Sequence, residues 1–369
     1  MAPTKKTTKK TKQVPVMSPE SKKFLYDLLM TPSATGFEQN IQKVVEAYAK
    51  PFADTIEKDF HGNLIIGVNT KSSRRVMLAG HCDQIGLMIK HINKEGYLYF
   101  GALGGIDVGV LPGSRITIHA ESGPIHGVIG RKPIHSQTSD ERGKVGSDID
   151  KLWIDIGAAD KKECESLVQI GDSVTFAHNV LELRNNFVTS PGLDDKVGVF
   201  VAVETAKLCA KLKLHCAVYA VSTVQEEVGL RGAKTAAYSI DPEVGIAIDV
   251  CHATDNPGTS GANAVTCGLG KGPAISRGPN CNPVVEKLLV ASAKKGKIPY
   301  QLAPSPGLLG NDANAIQVSR GGVAAGSIGI PNRYMHTQAE VCDLRDLTNS
   351  VKVLVEFMKG IGPKTDWRG

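Results

Sequence analysis

The chain has 369 residues, 41% of them hydrophobic, with 39 glycines and 19 prolines. That is a globular composition, long enough for more than one core and far from a disulfide-stapled miniprotein, and no apolar run approaches the ~20 residues of a membrane-spanning helix. The formal net charge is +6, but Lys5, Lys6, Lys9, Lys10 and Lys12 all precede the first acid, Glu20. The remaining body is nearly balanced, unlike a protein built to neutralise many phosphates.

Residues 1–17 read as a disordered, solvated basic tail, with no apolar stretch behind them that would make a secretory signal. Ser18-Pro19-Glu20 supplies an N-cap, a proline at the first helical position and an early acid ahead of Phe24, Leu25, Leu28 and Leu29, so a helix is expected to Met30. A second helix is expected over 37–49, then a hairpin of 55–60 and 64–68 around His61-Gly62-Asn63, then a buried strand from Arg75 ending at Gly80-His81. Over 90–178 short strand-like runs alternate with Gly104-Gly105, Pro112-Gly113 and Gly123-Pro124, without a long amphipathic helix, which reads as a compact β domain. Alternation then returns: helix 195–211, strands 217–223 and 244–249, helices 284–295 and 312–320, strand 323–328 and helix 344–359. This pattern indicates an α/β protein, a helix-flanked mixed sheet formed by residues 18–89 and 179–369, interrupted by a β insert at 90–178.

The eight cysteines have no CxxC spacing, and several sit in apolar runs where free thiols pack as small hydrophobes. They point to a reducing, cytoplasmic location. Acids and histidines recur where apolar strands end: His81 and Asp83, Glu226 and Glu227, and Asp249. In an open α/β sheet the functional crevice lies at that edge, and Asp194-Asp195 and His336 can reach it. Singly, each has an ordinary explanation, such as N-cap acids or a solvated Glu-Glu pair. Together, two histidines with several carboxylates make a ligand mix suited to Zn²⁺, Co²⁺ or Mn²⁺. Adjacent glutamates can divide the work between ligand and base.

The strings Gly80-His81-Cys82-Asp83-Gln84-Ile85-Gly86, Gly192-Leu193-Asp194-Asp195-Lys196-Val197-Gly198, Val224-Gln225-Glu226-Glu227-Val228-Gly229, Ile248-Asp249-Val250 and Arg333-Tyr334-Met335-His336 occur in the order carried by the tetrahedral aminopeptidases. The chain resembles these dinuclear metallo-aminopeptidases, which include glutamyl and deblocking aminopeptidases, from about residue 18 to 360. The resemblance implies two divalent ions per chain, with Asp194 bridging them, His81 and Asp249 completing one site, and Glu227 and His336 the other. It implies Glu226 as general base towards a water shared by the metals, Asp83 as the carboxylate behind His81, and peptides with a free N-terminus as substrates. It implies that the insert, β-barrel-like, is a dimerisation domain and that the chain forms homo-oligomers up to dodecamers. Asp195 reads equally well as a first-turn acid of its helix. Gln84 and Asn311 stand where the family usually has Glu and Thr. Cys82 points away from its neighbours and is expected in the core. Gly268-Leu269-Gly270-Lys271-Gly272 lacks the context of a phosphate cradle and reads as a substrate-lining loop.

Three rival readings differ in chemistry. A dinuclear deacylase or carboxypeptidase would read a substrate carboxylate with an arginine such as Arg333. An endoglucanase would need two opposed, metal-free carboxylates and sugar platforms, for which only Trp153 and Trp367 offer indoles. A nucleic-acid-binding scaffold would depend on the tail, and the balanced body argues against specific nucleic-acid or membrane partners.

Overall fold

A computed structural model describes residues 16–139, 148–259 and 267–368. Most of the expected basic tail therefore lies outside the described residues, while Val16 and Met17 pack against the main core. Helix α1 (Pro19–Met30) starts as expected, with Ser21 N donating to Ser18 Oγ at 3.0 Å, and buries Phe24, Leu25, Leu28 and Leu29. Helix α2 (Gln39–Ala49) and strands β1 (Thr55–Lys58), β2 (Leu64–Val68) and β3 (Arg75–His81) follow.

The chain next forms a closed barrel from β4 (Gly86–Ile92), β5 (Leu98–Leu103), β6 (Arg115–Ala120), β7 (Gly123–Arg131), β8 (Leu152–Asp155) and β9 (Ser173–Phe176), in the order β4-β5-β8-β7-β6-β9. A short helix, α3 (Lys161–Leu167), joins its last two strands. Alternate residues such as Ile116 and Ile118 on β6 and Leu87 and Ile89 on β4 fill a barrel core separate from the main one, as period-two patterning requires.

The rest of the chain supplies β10 (Leu181–Glu182), β11 (Phe187–Ser190), α4 (Leu193–Cys209), β12 (Ala217–Thr223), α5 (Arg231–Ile240), β13 (Val244–His252), β14 (Ala274–Arg277), α6 (Pro283–Lys295), β15 (Gln301–Pro304), α7 (Ala313–Gln317), β16 (Ala324–Asn332), β17 (Glu340–Asp343) and α8 (Leu344–Gly360). A mixed eight-stranded sheet runs β1-β2-β12-β3-β13-β16-β14-β15, with β12, β3, β13 and β16 mutually parallel. Helices cover both faces, so these central strands are mostly apolar away from their carboxyl ends. On β3, Val76 and Leu78 enter the core with α1, α4 and α8, while Met77 and Ala79 enter the one with α5 and α7.

Several elements depart from the sequence expectation. Helix α5 was not expected: its buried face, Gly232, Ala233, Ala236, Ala237 and Ile240, keeps helical spacing but is made mostly of small residues that let it lie close to the sheet, and its N-cap, Leu230, supplies no side-chain cap. Helix α7 stops at Gln317, three residues early, where Arg320 (φ 49°) and Gly322 (φ 103°) turn the chain back. Strands β14 and β15 were not anticipated because each has only four residues. Among the described residues no helix is long and apolar enough to cross a membrane.

Candidate metal centre

The parallel register sets the site. Thr223 lies opposite His81 across β12 and β3, and Ala247 lies opposite Ala79 across β13 and β3, so Asp249 comes level with His81 at the carboxyl edge. Glu226 and Glu227 follow the end of β12, Asp194 opens α4, and His336 lies between β16 and β17. Two glycines let the pieces meet. A Cβ on Gly80 would lie 2.3 Å from the Gly198 carbonyl carbon, and one on Gly198 would lie 2.4 Å from the Ile248 oxygen. Only glycine lets β3, β13 and the first turn of α4 approach this closely.

The carboxylate of Asp194 faces two histidines with different oxygens: Oδ1 is 3.1 Å from His81 Nε2, and Oδ2 is 3.2 Å from His336 Nε2. Asp249 Oδ1 lies 3.9 Å from His81 Nε2, and Glu227 Oε1 lies 3.6 Å from His336 Nε2. Two donor sets thus share Asp194: His81, Asp194 and Asp249, all buried, and Asp194, Glu227 and His336, which is more open. Glu226 Oε2 is 3.9 Å from His81 Nε2 and belongs to neither set.

The donor chemistry fits divalent cations. Asp194, Glu226 and Asp249 are buried together with His81, Glu227 and His336 lie half-buried beside them, and Glu227 Oε1 has no hydrogen-bond partner. Burial pushes Asp249 well above the carboxylate range and, with the charge of Asp194, pushes Glu227 up to about 7. Burial, reinforced by Asp249, Asp312 and Glu227 and only partly offset by His81, pushes Glu226 up to about 10. Asp194 is held low despite its burial because both histidines hydrogen-bond it. Like charges gathered out of water are stabilised by cations placed among them.

The supporting contacts are specific. The Asp83 carboxylate accepts from Glu226 N at 3.0 Å, Glu227 N at 3.2 Å and Thr35 Oγ1 at 2.9 Å, and lies 3.4 Å from His81 Nδ1. The Asp83 backbone oxygen is closer to that nitrogen, at 3.0 Å. Asp83 therefore orients His81 with carbonyl and carboxylate together, and the paired glutamates through their amides. Asp195 accepts from His81 N at 3.1 Å and Gly198 N at 3.0 Å, tying β3 to the first turn of α4.

Sequence reasoning missed three further acids. Buried Glu340 accepts from Asp194 N at 2.9 Å and His336 N at 3.0 Å, gripping two ligand backbones. Glu38 accepts from Gln225 N at 3.2 Å. Asp312 accepts from Thr223 Oγ1 at 2.7 Å, and its Oδ1 is buried without a partner. The signal for Glu340 was its place four residues after His336. Glu38 carried none.

Gln84 accepts from Lys196 Nζ at 2.5 Å and His178 Nε2 at 3.1 Å. Burial pulls Lys196 down to about 7 and His178 down to about 2. Asn311 caps Ala313 N and donates to Ser327, and Cys82 is buried in the main core. The amides of Gly270 and Gly272 donate to Asp346, so the glycine-rich loop spends them on the start of α8 rather than on a ligand. The barrel does reach the site. A Cβ on Gly104 would lie 3.1 Å from Glu227 Oε2, and one on Gly105 would lie 3.5 Å from His336 Nδ1.

Two donor sets sharing a carboxylate at the strand ends of such a sheet define a metal-dependent hydrolase. The M42 glutamyl aminopeptidase family matches residues 62–353. A lysyl aminopeptidase of Pyrococcus furiosus is 38% identical over 340 residues, covering 91% of this chain and 96% of the relative. The crystal structure of a TET aminopeptidase from a marine sediment Thaumarchaeota archaeon superposes with a TM-score of 0.89 at 32% identity, covering 94% of this chain and 97% of that one. The Pyrococcus horikoshii TET1 peptidase, which can assemble into a tetrahedron or a large octahedral shell, gives 0.80 at 32% identity, covering 92% and 100%. The chain belongs to the M42 glutamyl aminopeptidase family and is a metal-dependent peptide hydrolase acting as an aminopeptidase.

Proposed function

We propose that this chain is a dinuclear aminopeptidase that removes residues from free peptide N-termini, with His81, Asp194 and Asp249 holding one cation and Asp194, Glu227 and His336 the other. The observation that carries the reading is the split of the Asp194 carboxylate, one oxygen to each histidine at 3.1 and 3.2 Å. The mixture of imidazole and carboxylate favours Zn²⁺ or Co²⁺, with Mn²⁺ also suited.

When bound, the cations supply Lewis acidity that polarises the scissile carbonyl and acidifies the attacking water. Glu226 accepts the proton of that water and delivers it to the departing amine. Its place beside both ligand sets but outside them suits a proton carrier. Asp83 holds the Glu226 and Glu227 amides so that base and ligand keep separate directions, and Glu340 fixes Asp194 against His336. The Gly104-Gly105 turn of the barrel forms a wall of the site.

We further propose a discontinuous catalytic domain, residues 18–85 and 179–369, with an insert that begins at β4, residue 86, rather than at the expected 90, and runs to 178, serving homo-oligomer assembly as dimers building towards a dodecamer. The free thiols accord with a reducing cytoplasm. The paired glutamates test the reading. Glu226→Gln should keep its metal and lose roughly 10² to 10⁴ in rate on an aminoacyl anilide, whereas Glu227→Gln should lose metal from one site. N-acetylation of the substrate should abolish turnover by the wild type. Equal metal loss in both variants, or turnover of the acetylated substrate, overturns the assignment.

A further inference from the structure

Two thiols that the hydrolytic site does not use lie against each other at its margin. Cys251 is on β13, two residues beyond Asp249, and Cys267 lies sixteen residues further along the chain, yet their Sγ atoms are 3.4 Å apart. Hydrogen bonds brace the two segments: Thr254 N donates to the Cys267 oxygen at 2.7 Å, and Cys267 N donates to Thr254 Oγ1 at 2.8 Å. Cys251 leans over Gly329 of β16, where a Cβ would lie 2.8 Å from its sulfur, so β16 backs it on that side. Cys82, Cys164 and Cys342, by contrast, are wholly buried within apolar clusters. Cys251 is partly exposed.

We propose that Cys251 and Cys267 are an oxidisable dithiol that closes reversibly to a disulfide, tying the end of β13 to the segment leading into β14 beside the metal centre. Bond formation needs the sulfurs to approach by roughly 1.4 Å, to the ordinary ~2.05 Å. The oxidant is a low-molecular-weight disulfide. The partly exposed Cys251 thiol attacks one sulfur of that reagent and expels the other as a thiol. Cys267, buried 3.4 Å away, then attacks the mixed disulfide at Cys251 and releases the second small thiol. Two electrons and two hydrogens pass from the protein to the reagent, leaving one protein disulfide and two small thiols.

The test uses the full-length, metal-loaded protein and oxidised glutathione. After acid quench, free thiols are alkylated in denaturant and unreduced peptides are mapped by mass spectrometry. The peptides bearing Cys251 and Cys267 should appear as one cross-linked species, lighter by two hydrogens and abolished by dithiothreitol, while the other six cysteines are alkylated. In Cys267→Ser, Cys251 should instead retain glutathione, because the thiol that resolves the mixed disulfide is gone. Full alkylation of both cysteines in the treated wild type, or glutathione persisting on Cys251 there, overturns the proposal. The wild-type map decides the matter even where the variant folds poorly.

Discussion

Replacing Asp83 by Asn removes one acceptor from a junction in which every acceptor is used. The carboxylate serves Glu226 N with Oδ1 and Glu227 N and Thr35 Oγ1 with Oδ2. An amide keeps one oxygen and turns the other position into a donor. A nitrogen at the Oδ1 position would oppose both Glu226 N–H and His81 Nδ1. At the Oδ2 position it opposes only Glu227 N–H, since the Thr35 hydroxyl can rotate and accept. The second arrangement should win, leaving one buried N–H unpaired at a cost of about 1–3 kcal/mol. His81 keeps its backbone contact to the Asp83 oxygen at 3.0 Å, so its tautomer survives and the damage falls on the Glu226–Glu227 turn. Metal affinity should fall about tenfold, the lower end of the 10- to 100-fold range for a carboxylate supporting a ligand, with a larger drop in kcat as Glu226 loses its aim. Competition titration with a chromophoric chelator and steady-state kinetics on an aminoacyl anilide measure the two effects. Metal affinity and kcat both within twofold of wild type would refute the reasoning.

Proton competition should make metal binding depend on pH. The hydrogen bond to Asp194 holds His336 up to about 9, and burial holds Glu227 up to about 7. Both must release a proton to bind a cation, so affinity of their site should rise about tenfold per pH unit between 7 and 9 and level off above. A flat profile in the same chelator competition would contradict it. Gly104→Ala places a methyl at a positive φ of 81° and 3.1 Å from Glu227 Oε2, and should lower kcat/KM by roughly tenfold or more while the left-handed backbone costs about 1–2 kcal/mol, read as a lower melting temperature. Gly198→Ala drives a methyl to 2.1 Å from Asp195 Oδ2 and should cost about 3 kcal/mol, read as a lower urea midpoint. Light scattering should give a mass of several chains at micromolar concentration, and a monomer there would count against assembly through the barrel.

The sequence was most legible where local chemistry and position coincide. Strand ends followed by His, Asp or Glu marked the carboxyl edge, and Ser18-Pro19 marked the start of α1, because these signals need no knowledge of distant residues. Glu38 was not legible, and Glu340 only through its place four residues after His336, since their role is to accept backbone amides from segments brought together only by the sheet register and the Gly80–Gly198 approach. Helix α5 was hidden because its buried face is mostly alanine and glycine and no capping residue marks its start. The barrel's contribution to the site was hidden for a related reason: Gly104 and Gly105 act by lacking side chains.

The shared carboxylate is tested most directly by counting metal. Protein stripped with chelator, reloaded with Zn²⁺ or Co²⁺ and freed of excess should contain two ions per chain by elemental mass spectrometry. His81→Ala and His336→Ala should each retain one, while Asp194→Asn, which serves both sets, should lose both. One ion or none in the reloaded wild type, or two retained in Asp194→Asn, would contradict a centre built around Asp194.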